Sequence, residues 1–325
     1  MTEMILRDAI AKGLREALDT DERTFLMGED IAKYGGAYAV TRGFYDEYGE
    51  DRVKDTPISE SVFVGAGTGA AMIGLRPIVE IMTINFSLVA MDQIVNHAAK
   101  LSYMSDGQIS VPLIIRTVTG GGGQLGATHS QSFENWYASI PGLRVVVPSN
   151  PYDALGLFRT ARKDNNPVIF AEHSLLYRVK GDVPEEYYEV PFGEARIAKL
   201  GDDVTLIAYS GMVRIAEEAA KILADKNISA EIIDLRTLSP LDIETVVESV
   251  KKTNRAVVIE ETWKTGGFSG TIASNVQEAA FDYLDGPVIR VNGPDVSAPY
   301  AKNIESAMIP SADWVVEAVT YNFGL

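Results

Sequence analysis

At the start of the chain Ile5, Ala9, Ile10, Leu14, Ala17 and Leu18 recur at helical spacing, with Arg7, Asp8, Lys12, Arg15 and Glu16 between them. This spacing predicts an amphipathic helix starting almost at Met1. Thr24 to Gly28 reads as a short strand, followed by a Gly- and Tyr-rich loop and a helix carrying Phe44 and Tyr45. Val53 to Ile58 reads as a strand end running into Ser59-Glu60-Ser61, and a small-residue helix over Ala66 to Ile73 leads to a strand over Arg76 to Met82. A helix over Ala90 to Met104 precedes an apolar strand over Val111 to Thr117. Gly120 to Gln131 is too glycine-rich for either regular state. A strand over Arg144 to Pro148, a helix over Pro151 to Lys163 and a strand over Pro167 to Glu172 complete this half.

Tyr177 to Pro191, with Lys180, Gly181, Asp182, Pro184, Glu185 and Glu186, interrupts the alternation and reads as an exposed connection. Strands then follow at Val204 to Tyr209, Ala230 to Leu235, Ala256 to Glu260 and Val288 to Asn292. Helices fall at Val213 to Lys226, Asp242 to Thr253, Phe268 to Tyr283 and Ser311 to Asn322. Strands alternating with helices imply an α/β fold of two domains, each a mostly parallel sheet flanked by helices. The expected boundaries are 1–180 and 196–325, with 181–195 as linker. No repeat of solenoid period is evident.

A length of 325 residues suits two domains. The net charge of −16 repels nucleic acid and anionic lipid, and suits a partner with a basic docking surface. The absence of cysteine excludes disulfides, thiolate nucleophiles and iron–sulfur clusters. No apolar run reaches the roughly 20 residues that span a bilayer. The start of the chain carries no signal-peptide pattern, so the expected compartment is the cytoplasm of a prokaryote, favoured over an organelle after processing.

Gly65-Ala66-Gly67-Thr68-Gly69-Ala70 formally fits a dinucleotide fingerprint, but Glu80 comes too early to be its ribose-binding acid. Close helix packing is the favoured reading. Glu60 follows an apolar strand at the sheet end where ligands gather in open α/β folds, although a helix-capping role fits it equally. His129, after Gly120 to Gly123, sits on a loop where an imidazole can exchange protons near neutral pH, or can simply be a satisfied loop residue. His97 reads as packing, and His173 could be either. His-Glu-x-x-His, P-loop and Gly-x-Ser-x-Gly motifs are absent, which excludes the zinc-protease, nucleotide-hydrolase and α/β-hydrolase readings. The acidic blocks Asp182 to Glu189 and Asp202-Asp203 read as solvated faces or as a docking surface.

The runs Tyr34-Gly35-Gly36-Ala37-Tyr38-Ala39-Val40-Thr41-Arg42-Gly43 and Asp55-Thr56-Pro57-Ile58-Ser59-Glu60 resemble the beta subunits of 2-oxo-acid dehydrogenase decarboxylase components. Gly74-Leu75-Arg76-Pro77, His129-Ser130-Gln131, Pro141-Gly142-Leu143 and Asp234-Leu235-Arg236-Thr237-Leu238-Ser239-Pro240 extend the resemblance in order over essentially the whole chain. Glu172 to Tyr177 is most similar to the pyruvate-acting members. The resemblance implies a pyrimidine-binding domain for thiamine diphosphate and a transketolase C-terminal-like domain. Gly-Asp-Gly is missing and Asn165-Asn166 stands alone. The diphosphate and its Mg²⁺ would therefore be held by an alpha subunit, in an α2β2 tetramer acting on pyruvate.

By the same resemblance Glu60 hydrogen-bonds the aminopyrimidine ring, Met82 and Phe86 pack on that ring, and His129 assists acyl transfer to a lipoyl group. Leu113, Ala161, Arg162, Asp164 and Asn166 match positions that can hold a monovalent cation, usually K⁺, mainly through backbone oxygens. Val89 stands where mitochondrial-type relatives have glutamine, so no polar cofactor contact is expected there. The implied surroundings are a multienzyme complex with a lipoyl acyltransferase core, whose basic subunit-binding domain would dock on the acidic surface, on the C-terminal domain. Branched-chain 2-oxo acids or acetoin as substrate, a noncatalytic partner-binding module of the same fold, and an NAD-binding oxidoreductase remain the alternatives.

Overall fold

The computed structural model describes residues 1–325, which fall into two compact units. The first comprises Met1–Thr119 and Trp136–Phe192, the second Gly120–Asn135 and Gly193–Leu325. The glycine-rich loop thus counts with the second unit, although the chain on either side of it lies in the first.

In the first unit, strands β1 (Thr2–Ile5), β2 (Thr24–Gly28), β3 (Val53–Asp55), β4 (Arg76–Ile81), β5 (Ile114–Thr119), β6 (Arg144–Val146), β7 (Val168–His173) and β8 (Lys180–Val183) occur in chain order. The main sheet runs β6-β7-β5-β4-β2-β3 with every pairing parallel. All residues of β5 and β7 are buried, as in a sheet covered on both faces; each strand opens with apolar residues and carries buried polar ones toward its carboxyl end. The core joins Leu6, Ile10 and Leu14 of the first helix to Leu157 and Phe158 of helix Pro151–Ala161 and to Phe170 of β7. The Phe158 and Phe170 rings meet edge to face at 5.5 Å.

Three sequence expectations change here. The first helix begins at Leu6, because Thr2–Ile5 pairs antiparallel with Lys180–Val183. The segment Tyr177 to Pro191 is correspondingly not a free connection: Val183 and Val190 are buried, and Tyr188 stacks on Tyr152 at 4.4 Å. The helix expected over Ala90 to Met104 is broken into a 3₁₀ segment (Ile84–Ala90), a π turn (Gln93–Ala98) and a short α-helix (Leu101–Met104). Apolar spacing of three or four does not separate these hydrogen-bonding patterns.

In the second unit β9 (Arg196–Lys199), β10 (Val204–Ala208), β11 (Ala230–Asp234), β12 (Ala256–Trp263) and β13 (Ile289–Gly293) form a sheet in the order β13-β12-β10-β11-β9. Only the edge strand β9 is antiparallel. It was invisible in the sequence because its four residues, Arg-Ile-Ala-Lys, are half exposed. Helices Met212–Asp225, Ile243–Thr253, Phe268–Ala280 and Ala312–Phe323 flank the sheet. The apolar faces of Met212–Asp225 and Ala312–Phe323 build a core with Leu206, Ile232 and Val257. The expected α/β class, with mostly parallel sheets between helices, holds in both units. No helix is long and apolar enough to cross a membrane.

Candidate active-site elements in the two units

In the first unit the helix after β3 runs from Glu60 to Met72, starting six residues before the Ala66 that its small-residue stripe indicated. Gly65 to Ala70 therefore lies inside this helix and not at a strand-to-helix turn, which removes the geometry a dinucleotide fingerprint needs. Its purpose is packing: a Cβ on Gly67 would sit 2.7 Å from Val79 Cγ2 of the sheet.

Glu60 becomes the first residue of that helix. It is only 6% exposed, yet its carboxylate has no hydrogen-bond or ion-pair partner in the chain. Glu29 lies within its electrostatic reach: burial raises the Glu29 pKa, and Asp30 and Glu60 add to the rise. The helix packs against the segment Ile84–Ala90, which carries Phe86; Met82 directly follows β4, and both side chains are half-buried. Glu60, Met82 and Phe86 thus belong to adjoining elements. Val89 is exposed.

The acceptor capacity of Glu60 fits an aminopyrimidine ring nitrogen that shares a proton. The half-buried thioether and phenyl groups of Met82 and Phe86 fit the apolar faces of such a ring. No group of three or more His, Cys, Asp or Glu side chains is placed to hold a metal ion.

Beside these elements lies a network that the sequence reading passed over. The Arg116 guanidinium donates to both oxygens of Glu172 at 2.6 and 2.7 Å and to Glu80 Oε2 at 2.5 Å. Tyr177 Oη–H donates to Glu172 at 2.7 Å. Glu80 and Arg116 face each other in the β4–β5 register, and Glu172 follows on β7. Burial raises the Glu80 pKa despite Arg116, and burial with the Glu172 charge raises that of Tyr177. Glu80, set aside in the sequence as too early for a ribose-binding acid, is thus one arm of a buried ionic triad.

The expected cation positions cluster where helix Pro151–Ala161 turns toward β7, and their oxygens are already engaged. Arg76 donates to the carbonyls of Arg162 and Asp164 at 2.9 and 3.1 Å. The Asp164 carboxylate accepts from Asn166 N and Nδ2 at 2.8 and 2.7 Å and faces Arg144 at 3.5 Å. The Ala161 carbonyl accepts from Asp164 N and that of Leu113 from Val168 N.

In the second unit His129 is exposed on the glycine-rich loop, with Nδ1 2.9 Å from Thr128 Oγ1. Two acidic side chains distant in sequence bind the loop backbone. Glu261 Oε1 accepts from Gly121 N at 2.5 Å, and Glu305 accepts from Gly122 N and Gln124 N at 3.1 and 2.9 Å. Neither glutamate stood out in the sequence. They lie 140 to 183 residues from the amides they bind, and no short motif spans such a gap.

Two family models divide the chain near the same point, residue 193, with the glycine-rich loop falling in the first of them. Residues 2–180 match the transketolase pyrimidine binding domain, and residues 193–315 match the transketolase C-terminal domain. A split-gene transketolase, solved as an inactive β4 tetramer, superposes with a TM-score of 0.80 over 99% of both chains, at 23% identity. A Campylobacter jejuni transketolase gives 0.72 over 99% of this chain and 47% of its own, at 14% identity. At such identities the structures establish the fold, and the class is a two-domain transketolase-like protein. Sequence relatives narrow it. The pyruvate dehydrogenase E1 component subunit beta of Rickettsia bellii is 49% identical over 98% of each chain, and the mitochondrial one of Dictyostelium discoideum is 47% identical over 97% of this chain and 90% of its own. The chain belongs to the family of pyruvate dehydrogenase E1 component beta subunits.

Proposed function

We propose that this chain, paired with an alpha subunit in an α2β2 tetramer, decarboxylates pyruvate and transfers the acetyl group to the lipoyl group of an acyltransferase core. The observation that carries the reading is Glu60, a buried carboxylate at a helix N-terminus with no partner of its own. Thiamine diphosphate, when bound, supplies the carbon nucleophile and the electron sink. Glu60 shares a proton with the pyrimidine ring nitrogen, and no competing donor from the chain draws its oxygens away. Met82 and Phe86 exclude water from the ring faces. His129 holds or moves a proton during acyl transfer to the lipoyl sulfur. The diphosphate and Mg²⁺ fall to the alpha subunit, in keeping with the missing Gly-Asp-Gly.

Exposed apolar residues of the first unit, among them Ile58, Val62, Ile73, Val89 and Met104, suit burial against other subunits. The acidic second unit suits a basic docking domain of the core, in a contact that weakens with salt. The compartment that fits this assembly is the cytoplasm. A monovalent cation at Leu113, Ala161, Arg162, Asp164 and Asn166 would share two of its carbonyls with the positive Arg76 group. Replacing K⁺ by choline would then lower the thermal stability of the tetramer, and no change removes that part of the reading.

The decisive experiment is Glu60→Gln in the co-expressed complex. Release of CO₂ from pyruvate should fall by roughly two orders of magnitude or more while α2β2 assembly persists. Near-normal turnover would remove the assignment. Turnover of 2-oxoisovalerate or acetoin above that of pyruvate would shift the substrate.

A further inference from the structure

The entry to loop Gly120–Asn135 has no side chains with which to hold itself in place: positions 120 to 123 are all glycine. Flexible glycine segments lose the most conformational freedom on ordering. Something must therefore hold this loop, and its anchors are carried by β12 and the segment after β13. Glu261, in β12, takes the Gly121 amide at 2.5 Å. Glu305, only 2% exposed on the short helix Lys302–Ser306, takes the Gly122 amide with one oxygen and the Gln124 amide with the other. Gln124 is in the left-handed region at φ +59°, which turns its amide toward the same carboxylate. Farther along, the Tyr300 ring covers Gly126, where a Cβ would lie 2.4 Å from Cζ. On the far side of His129, Thr262 Oγ1 donates to the Ser132 carbonyl at 3.0 Å, and Asn135 Nδ2 donates to the Gly266 carbonyl at 3.0 Å. The loop is bound on both sides of His129, and the residues from Gly126 to Ser130 form its tip.

We infer that Glu305, with Glu261, is a positioning residue: its carboxylate clamps the backbone amides before His129 and fixes where the imidazole stands for acyl transfer. The inference rests on the proposed role of His129. Charge-assisted hydrogen bonds from backbone amides are about twice as strong as neutral ones, so one buried carboxylate can order a segment that offers no side chains. Glu305 touches no reacting atom. Its effect passes through the loop.

The test uses Glu305→Ala and Glu305→Gln in the assembled α2β2 enzyme, each with two readouts. The first is hydrogen exchange of the peptide spanning residues 120–131. Glu305→Ala should lose protection there, while protection in the sheet strands 204–208 and 256–260 is kept; Glu305→Gln, which keeps one acceptor oxygen, should lie between. The second compares acetylation of a free lipoyl domain with decarboxylation coupled to an artificial electron acceptor. Lipoyl acetylation should fall by roughly tenfold or more in kcat, with a smaller fall in decarboxylation, because sub-ångström misplacement of a reacting group is costly. Unchanged loop exchange overturns the clamp. Lost loop protection with equal falls in both activities, or none in either, overturns the positioning role.

The two readings fail separately. If His129→Ala leaves acetylation intact, the reading of His129 falls, and the exchange of residues 120–131 still decides whether Glu305 clamps the loop.

Discussion

Each unit buries a glutamate next to the N-terminus of a helix, and the two are treated in opposite ways. Glu260, within β12 in the second unit, is fully buried and saturated. Oε1 accepts from Tyr209 Oη and Phe268 N, both at 2.8 Å, and Oε2 accepts from Ser269 N at 2.8 Å and Asn292 Nδ2 at 2.9 Å. Two of those donors are the first amides of helix Phe268–Ala280, which have no partner within the helix. Glu60 in the first unit begins its own helix, is nearly as buried, and has no such donors. A carboxylate that serves the fold is surrounded by donors contributed by the fold. Glu60 receives no donor from the fold, which is what the proposed cofactor-binding role requires. Burial alone does not separate the two; counting hydrogen-bond donors does.

Arg116→Leu tests this comparison with the largest expected effect. The substitution would strip Glu80 of its guanidinium partner and leave Glu172 with only the Tyr177 hydroxyl, in a place where no ligand relieves them. A loss of about 3–5 kcal/mol is expected from removing one member of a buried ion network. Denaturant unfolding of the assembled protein measures it. Replacing Glu80, Arg116 and Glu172 together by apolar residues of similar volume should restore most of that loss. If the single substitution were harmless, lack of a partner would not be costly in this core, and Glu60 would lose its significance.

Glu260→Gln comes next. Whichever way the new amide turns, its NH₂ group faces two of the four donors. Asn292 cannot simply rotate to accept, because its Oδ1 already takes Ser269 Oγ at 3.0 Å. A cost of about 2–4 kcal/mol follows from lost charged hydrogen bonds and stranded buried donors. Because Glu260 belongs to the second unit's framework, thermal unfolding should move while the pyruvate KM stays near wild type. A raised KM without a change in stability would assign Glu260 to the site.

What the sequence makes legible follows the same division. Strands such as Val168–His173, which opens on four apolar residues, and helices such as Met212–Asp225, an amphipathic repeat, are found by local pattern. Glu60 and His129 also emerge from local context, a strand end and a glycine-rich loop. The partners are what local reading cannot supply. Thr2–Ile5 becomes a strand only by meeting residues about as far away as the whole first half of the chain. Arg116 meets Glu172 across 56 positions, and Glu305 meets Gly122 across 183. A glutamate reads the same in sequence whether it clamps a loop, ties an arginine, caps a helix or waits for a ligand.

Asp242 probes a carboxylate between the two extremes, half-buried at the start of helix Ile243–Thr253. Burial alone would raise its pKa, but hydrogen bonds from Thr245 N, Thr245 Oγ1 and Ala195 N overcome that and hold it below the ordinary 3.8. A depressed folded-state value adds stability at pH above the unfolded value, and that stability is lost as pH falls through the folded one. Asp242→Asn should therefore be less stable than wild type near neutral pH, by about 1 kcal/mol. The gap should close below pH ~4. Melting curves from pH 7 to pH 3 test this, and a gap that stays constant with pH would show that charge on Asp242 plays no part.

The smallest expected stability change belongs to the residue with the largest expected functional one. Glu60→Gln removes a buried charge that has no partner in the chain, so unfolding without cofactor should shift by less than about 0.5 kcal/mol or move upward. The measurement must be made without cofactor, since a ligand that binds only the folded state adds stability of its own and would hide the effect by mass action. With thiamine diphosphate and Mg²⁺ added, the wild-type assembly should gain more in melting temperature than the variant, because the pyrimidine loses its carboxylate partner. A drop comparable with that of Glu260→Gln in the cofactor-free protein would mean that Glu60 serves the fold after all. Equal stability without cofactor, together with a smaller gain on adding it, places the whole value of this carboxylate in the ligand it receives.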